Sequence, residues 1–437
     1  MNTYTLLSPS RLRTSVTLPS SKSISNRALV IYALSGCRQL PCNLSDCDDT
    51  EVIVRALETM PEVIDIKAAG TAMRFMTALL AAAPSMDGAS HLLTGTERMR
   101  HRPIKVLVDA LRRLGADISY AGEEGFPPLR ITGRRLEGGQ LEVAGNISSQ
   151  FISALLLIGP VLKRGLTLRL TGEIISRPYI DLTLCTMREF GASADWISVD
   201  TIEVKAGGYE SRPFLIENDW SAASYWYEMV ALSPDAEAEV HLEGLMDGSR
   251  QGDSSVRYIF SLLGVNTTFQ DSSPAPTMVA LRKSGQCVRH LDYDFTNMPD
   301  LAQTIVVTCC ALGVTFHFTG LQTLKIKETD RIEALKTELR KLGFELRDID
   351  GRELVWDGTL LPPPSTLHPH PSTLHLPPST LPTPPSIDTY DDHRMALAFA
   401  PLSLLAPISI NNPQVVTKSY PHFWSDLQAA GFSLIHN

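Results

Sequence analysis

Two hydrophobic periods take turns along this chain. Runs that alternate apolar with polar residues and close on glycine occur at 91–95, 166–172, 239–244 and 315–320, roughly 75 residues apart. Period-two alternation ending in a turn reads as a half-buried strand. Between these runs lie segments of helical spacing, such as Phe151, Ala154, Leu155 and Ile158, or Ile332, Leu335, Leu339 and Leu342. A second signature recurs in phase with the first, a helix end running into glycine: Leu111-Arg112-Arg113-Leu114-Gly115, then Met187 to Gly191, Phe260 to Gly264, Leu339 to Gly343 and Leu427 to Gly431. Each glycine suits a left-handed helix stop. The pattern predicts an α/β protein of about six units of ~75 residues, three in each of two similar globular domains. The boundary falls near Glu217-Asn218-Asp219, giving one domain over 19–217 and a second over 218–437. The opening strand-like stretch, 4–18, is assigned to the second domain, so that domain comprises 1–18 plus 218–437.

The polar punctuation is as regular as the apolar pattern. Helix starts rich in small polar residues are expected at Ser20-Ser21-Lys22-Ser23, Gly70-Thr71, Ser148-Ser149-Gln150, Asp219 with Ser221, Pro299-Asp300 and Asp391-Asp392-His393-Arg394. Capping explains the Ser, Thr and Asp residues, but not the cations that accompany them. The densest case is Lys327-Glu328-Thr329-Asp330-Arg331, between strand-like runs at Thr315–Thr319 and 324–326 and the helix that ends at Gly343. Asp330 and Glu333 have capping-box spacing, so Asp330 should cap that helix. Lys327 and Arg331 then flank a helix N-terminus, which itself favours anions, and Glu328 lies between them as a proton carrier or field source.

Lys22, Arg27, Arg102, Lys327, Arg331, Arg394 and Lys418 together imply a small, strongly anionic ligand, because guanidinium forks match phosphate and carboxylate oxygens. Neither a Walker motif nor G-x-G-x-x-G is present, so a nucleotide is not indicated. A formal charge of −9 over 437 residues argues against nucleic acid as a bulk partner, while leaving room for a local basic pocket. The chain shows no apolar run of membrane length and no leader pattern, which predicts a cytoplasmic protein. Seven cysteines, an odd number, fit free thiols; Cys37, Cys42 and Cys47 lack the paired spacing and nearby His of a zinc site. Residues 361–386 hold ten prolines and a recurring Pro-Ser-Thr-Leu, which predicts an extended insertion.

Seven short motifs, in order, resemble the 3-phosphoshikimate 1-carboxyvinyltransferase (EPSP synthase) family over essentially the whole chain. They are Ser21-Lys22-Ser23-Ile24-Ser25-Asn26-Arg27, Ala69-Gly70-Thr71-Ala72-Met73-Arg74, Arg102-Pro103-Ile104, Ser148-Ser149-Gln150-Phe151, Pro178-Tyr179-Ile180-Asp181, Lys327 through Arg331, and Asp392-His393-Arg394-Met395-Ala396. The resemblance implies two domains of three βαβαββ units each, an inside-out α/β barrel. It implies transfer of the enolpyruvyl group of phosphoenolpyruvate to 3-phosphoshikimate without metal or organic cofactor, by a monomer with no membrane or nucleic-acid partner. Residue by residue, it implies that Ser23, Arg27, Ser148, Ser149, Ser176 and Lys327 hold 3-phosphoshikimate. Gly70, Arg102, Arg331, Arg394 and Lys418 would hold phosphoenolpyruvate, with Lys22 and Gln150 reaching both. Asp300 would deprotonate the 5-hydroxyl, and Glu328 would carry the proton of the methylene carbon.

Four features depart from the family pattern: Ala68 in place of Asn, Phe75 in place of Pro, Thr323 in place of a substrate-contacting Asn, and the proline-rich insertion. Two other readings compete. The sister transferase acting on UDP-N-acetylglucosamine uses a loop cysteine, yet no cysteine lies between Cys47 and Cys185. A non-catalytic phosphometabolite-binding protein would gain nothing from Asp300 and Glu328, which weaken anion binding.

Overall fold

Among the described residues, five four-stranded sheets carry the fold, and four of them share one connectivity in chain order. The computed structural model describes residues 2–37, 39–270, 277–361 and 384–437. Most of the proline-rich insertion, 362–383, lies outside the described residues. In the sheet that shows the pattern best, strand Gly139–Ala144 pairs parallel with Leu166–Thr171 across helix Ser149–Ile158. Parallel neighbours require such a crossover. Helix Arg177–Glu189 then leads to Ala194–Trp196 and Thr201–Val204, an antiparallel pair whose second member lies against Leu166–Thr171. The order first–second–fourth–third repeats in the sheets built around Ser90–Thr94, Glu239–Glu243 and Thr315–Thr319, and the sheet of Ile408–Asn411 reaches the same layout only by placing Thr3–Leu7, from the start of the chain, where the fourth strand would stand. The first three of these are the strands that the glycine-closed runs predict. In the sixth repeat, the described residues show only an isolated bridge between Cys42 and Leu215.

The chain divides into two compact units, Met1–Pro19 with Asn218–Asn437, and Ser20–Glu217. The first has one continuous core, from Leu6 and Val16 to Trp226, Phe316 and Phe423. The second packs around Phe75, Leu79, Leu107, Ile152 and Leu168. The stretch 4–18 is two strands rather than one, because Pro9 falls between Thr3–Leu7 and Arg13–Thr17. Thr3–Leu7 lies between Ile408–Asn411 and Ser433–His436, while Arg13–Thr17 is the edge partner of Glu239–Glu243.

All five predicted helix-stop glycines, 115, 191, 264, 343 and 431, have positive φ. One element differs from the pattern. Residues 324–326 are not a strand but part of a 3₁₀ turn, Gln322–Ile326. Leu324 is buried and Ile326 is exposed, which mimics strand alternation, but among the described residues no strand pairs with them.

Candidate functional site

In the unit containing 218–437, the chemistry gathers at helix starts. Asp330 caps helix Arg331–Lys341 by accepting the Glu333 N–H at 3.1 Å. That places Arg331 in the first turn, 1% exposed, where it cannot use water. Its fork is taken instead by three carboxylates. Nε and Nη2 reach the two oxygens of Asp392 at 2.7 and 3.2 Å, Nη2 reaches Glu328 at 2.8 Å, and Nη1 reaches Asp300 at 3.1 Å. Burial would loosen the guanidinium's proton, but Asp392, Glu328 and Asp300 outweigh it and hold the proton more tightly than usual.

Asp300, on the 3₁₀ turn Pro299–Leu301 that feeds helix Ala302–Leu312, is the hub. It also meets Arg394 Nη2 at 3.0 Å and Lys327 Nζ at 3.5 Å. Asp392 caps helix His393–Phe399, accepting the Arg394 N–H at 2.9 Å. Arg394 Nη1 donates to the buried Tyr225 hydroxyl at 3.2 Å. Burial pushes that phenol up to about 12, so it remains neutral. Behind them, Asp253 is hydrogen-bonded to the Ser221 hydroxyl; burial first, then the charge on Asp300, push its carboxyl up to about 6 against the pull of Arg394. Lys418 Nζ donates to the Asp391 carbonyl at 2.9 Å. Thr323, one of the departures, keeps a buried hydroxyl without a hydrogen-bond partner among the described residues.

In the Ser20–Glu217 unit, Ser21 caps helix Lys22–Ser35, and Lys22 meets Asp49 at 3.5 Å. Arg27, one turn on, is buried among neutral acceptors. It donates to the Thr183 hydroxyl at 2.7 Å, the Ser23 carbonyl at 2.8 Å, and the Ser153 hydroxyl and Tyr179 carbonyl at 3.1 Å each. Burial lowers this guanidinium to about 10. Its face lies over the Phe75 ring, 5.6 Å from the centroid. Gly70 opens helix Gly70–Ala82, where a Cβ would sit 2.6 Å from Arg102 Nη1 and 3.0 Å from Arg74 Nη1. Only glycine lets two guanidinium groups approach this helix start so closely. Ser148 caps helix Ser149–Ile158, and Gln150 Nε2 donates to Thr71 Oγ1 at 3.0 Å, joining two helix starts. Ser176, buried and at φ +54°, precedes helix Arg177–Glu189.

Each unit therefore brings its own expected residues together: Asp300, Lys327, Glu328, Arg331 and Arg394 in one, Lys22, Ser23 and Arg27, and Gly70 with Arg102 and Gln150, in the other. The sequence reading missed Asp392 as the main partner of Arg331, Asp49 beside Lys22, and Tyr225 beside Arg394. Asp392 had a visible signal, its place in the Asp-His-Arg cluster, but was read only as a cap.

The repeated βαβαββ units with cationic helix starts define an enolpyruvyl-transferase type of α/β protein. The fold matches a solved EPSP synthase from Acinetobacter baumannii with a TM-score of 0.75, covering 100% of both chains at 20% identity. The family model for EPSP synthase (3-phosphoshikimate 1-carboxyvinyltransferase) matches residues 56–427. A relative from Bacteroides fragilis bearing the name 3-phosphoshikimate 1-carboxyvinyltransferase is 55% identical over 432 residues, 99% of this chain and 98% of the relative. Another of that name, from Photobacterium profundum, is 34% identical and covers 98% of each chain. The chain belongs to the EPSP synthase family.

Proposed function

We infer that the chain transfers the enolpyruvyl group of phosphoenolpyruvate to the 5-hydroxyl of 3-phosphoshikimate, releasing phosphate. The observation that carries this reading is the shared guanidinium of Arg331, which holds Asp300 and Glu328 at 3.1 and 2.8 Å. Two carboxylates fixed at one cationic centre suit a reaction in which one removes a proton and the other delivers one. Glu328 protonates the methylene carbon of phosphoenolpyruvate, and the positive charge that develops at C2 is stabilised by the carboxylate left behind. Asp300 accepts the proton of the 5-hydroxyl as its oxygen bonds to C2. The tetrahedral adduct then loses phosphate as Glu328 takes the methyl proton back and the double bond re-forms.

Arg331, Arg394, Lys418, Gly70, Arg102, Lys22 and Gln150 serve phosphoenolpyruvate. Ser23, Arg27, Ser148, Ser149, Gln150, Ser176, Lys22, Asp300 and Lys327 serve 3-phosphoshikimate. Four of the five Arg331 donors are occupied by carboxylates here, so an incoming anion must displace at least part of that set. Cytoplasmic, monomeric operation belongs to the same reading, and the free thiols of the seven cysteines suit a reducing compartment.

The test measures phosphate release from the two substrates, together with deuterium uptake into recovered phosphoenolpyruvate in heavy water. Asp300→Asn and Glu328→Gln should each cut turnover about 10²–10⁴-fold. Only Glu328→Gln should lower deuterium uptake relative to phosphate release. The reverse pattern would exchange the two roles, and no phosphate release by the parent protein would remove the reading.

A further inference from the structure

Helix Arg331–Lys341 buries a second charged residue besides Arg331. Glu338 lies seven residues on, two turns along the same face, and is fully buried. Its Oε1 accepts from the Tyr390 hydroxyl at 2.6 Å, while Oε2 accepts from the Asp388 N–H at 3.1 Å and forms an ion pair with the Lys341 ammonium at 2.7 Å. Two of these three partners belong to the loop joining strand Ser386–Ile387 to helix His393–Phe399.

That loop has an unfavourable shape. Tyr390 and Asp391, consecutive non-glycine residues, sit at φ +54° and +55°. A Cβ crowds the backbone there, so such a pair persists only where its surroundings impose it. The restraints are visible. Glu338 takes Tyr390 and Asp388, Asn411 Nδ2 donates to Asp388 at 2.7 Å, the Thr389 hydroxyl donates to the Asn411 carbonyl at 3.0 Å, and Asn412 Nδ2 donates to Asp391 at 2.9 Å. Burial first, then the Glu338 carboxylate, push the Tyr390 phenol well up, which keeps it a donor.

The loop's far end bears on the chemistry. The Asp391 carbonyl accepts from Lys418, Asp392 takes the Arg331 fork, and Arg394 follows within the next turn. We propose that Glu338 is a positioning residue, which holds the 388–391 loop in its left-handed shape so that Asp392, Arg394 and Lys418 meet phosphoenolpyruvate in register. The helix grips this loop twice, through Arg331 on Asp392 and through Glu338 on Tyr390 and Asp388. The inference rests on the reading that Arg331, Arg394 and Lys418 serve phosphoenolpyruvate.

Steady-state kinetics with each substrate varied, together with melting temperatures, test it in four variants. Glu338→Ala should lower kcat/KM for phosphoenolpyruvate by about 10²-fold, the scale of a misplacement near 1 Å, and leave KM for 3-phosphoshikimate in place. Tyr390→Phe removes one hydrogen bond to a carboxylate and should lower the same quantity about tenfold. It carries the test if Glu338→Ala fails to fold. Glu338→Gln should recover most of the loss, because an amide oxygen can accept from Asp388 while the phenol turns to accept from the amide nitrogen. Arg331→Lys supplies the reference. If it raises KM for phosphoenolpyruvate while the Tyr390 and Glu338 variants change only melting temperature, or shift both substrates alike, the positioning role is overturned and the reading of the site stands. If Arg331→Lys leaves both Michaelis constants unchanged, that reading falls and this inference with it.

Discussion

Glu228 is a carboxyl group whose ionisation the fold strongly opposes. It lies inside helix Trp220–Leu232 with no exposure, and neither carboxyl oxygen has a hydrogen-bond partner among the described residues. The nearby Thr308 hydroxyl spends its proton on the Thr304 carbonyl at 2.7 Å. Burial pushes the Glu228 carboxyl well above the ordinary range, with Thr308 only a small opposing influence. The folded state therefore holds a proton that the unfolded chain releases near pH ~4.3. Stability from this group is complete below that pH and declines by about 1.4 kcal/mol per pH unit above it, until the folded carboxyl itself ionises. Glu228→Gln lacks that slope. Denaturant midpoints at pH 5, 6 and 7 should show the difference between variant and parent growing in the variant's favour as pH rises; a constant or shrinking difference would sink the idea. At this scale the sequence made the cations of the site legible, since Lys22, Arg27, Lys327, Arg331 and Arg394 each stand at or near a helix-start motif. It hid what neutralises them. Asp392 lies 61 positions from Arg331, and no local pattern says that a capping aspartate also receives a buried fork. Glu338 was hidden for the opposite reason, because a polar residue on an apolar helix face looks like an interruption until its partners are known.

At the scale of elements, the most legible signals were backbone requirements. The helix stops could be read because only glycine takes their conformation cheaply, and the second strand of four repeats because it alternates and then turns. Gly115 isolates the backbone contribution. Its φ is +100°, and an added Cβ would meet nothing within 4 Å. Gly115→Ala should therefore cost about 1–2 kcal/mol purely through left-handed strain, read as a lower urea midpoint with an unchanged denaturant slope. Unchanged stability would mean that the stop relaxes to another conformation. What the pattern could not separate was a buried–exposed alternation from a strand. Leu324 and Ile326 alternate as strand residues do, but strand identity lies in the neighbour, and Leu324 bonds back to Leu321 at 2.9 Å instead. The departures were legible as letters only. Phe75 proved to be a buried ring under the Arg27 guanidinium, a contact between separate helices that one sequence cannot reveal.

At the scale of the whole molecule, the chain order makes one unit self-contained and the other dependent on a distant segment. In the Ser20–Glu217 unit, first and last residues meet, with the Ser21 N–H donating to the Glu217 carbonyl at 2.9 Å. Its core needs nothing from outside 20–217. An excised 20–217 fragment should therefore unfold in a single urea transition, which its one tryptophan, Trp196, can report. Residues 218–437 alone should not. They lack Thr3–Leu7, which is hydrogen-bonded on both flanks, and Arg13–Thr17, the parallel partner of Glu239–Glu243. They also lack Leu6, Leu12, Val16 and Leu18, all buried in that core. Removing a strand paired on both sides leaves two unpaired edges as well as a cavity. Joining 1–19 to 218–437 through a short glycine linker should restore folding, because the Asp219 N–H donates to the Pro19 carbonyl at 2.9 Å and the two ends are already adjacent. The outcome can be read from the tryptophan emission of this unit, where Trp220 and Trp226 are buried. A cooperative transition in the fused protein and none in 218–437 alone is the expected result. Equal stability of the two, or a 20–217 fragment without a cooperative transition, would show that the units do not carry their stability separately.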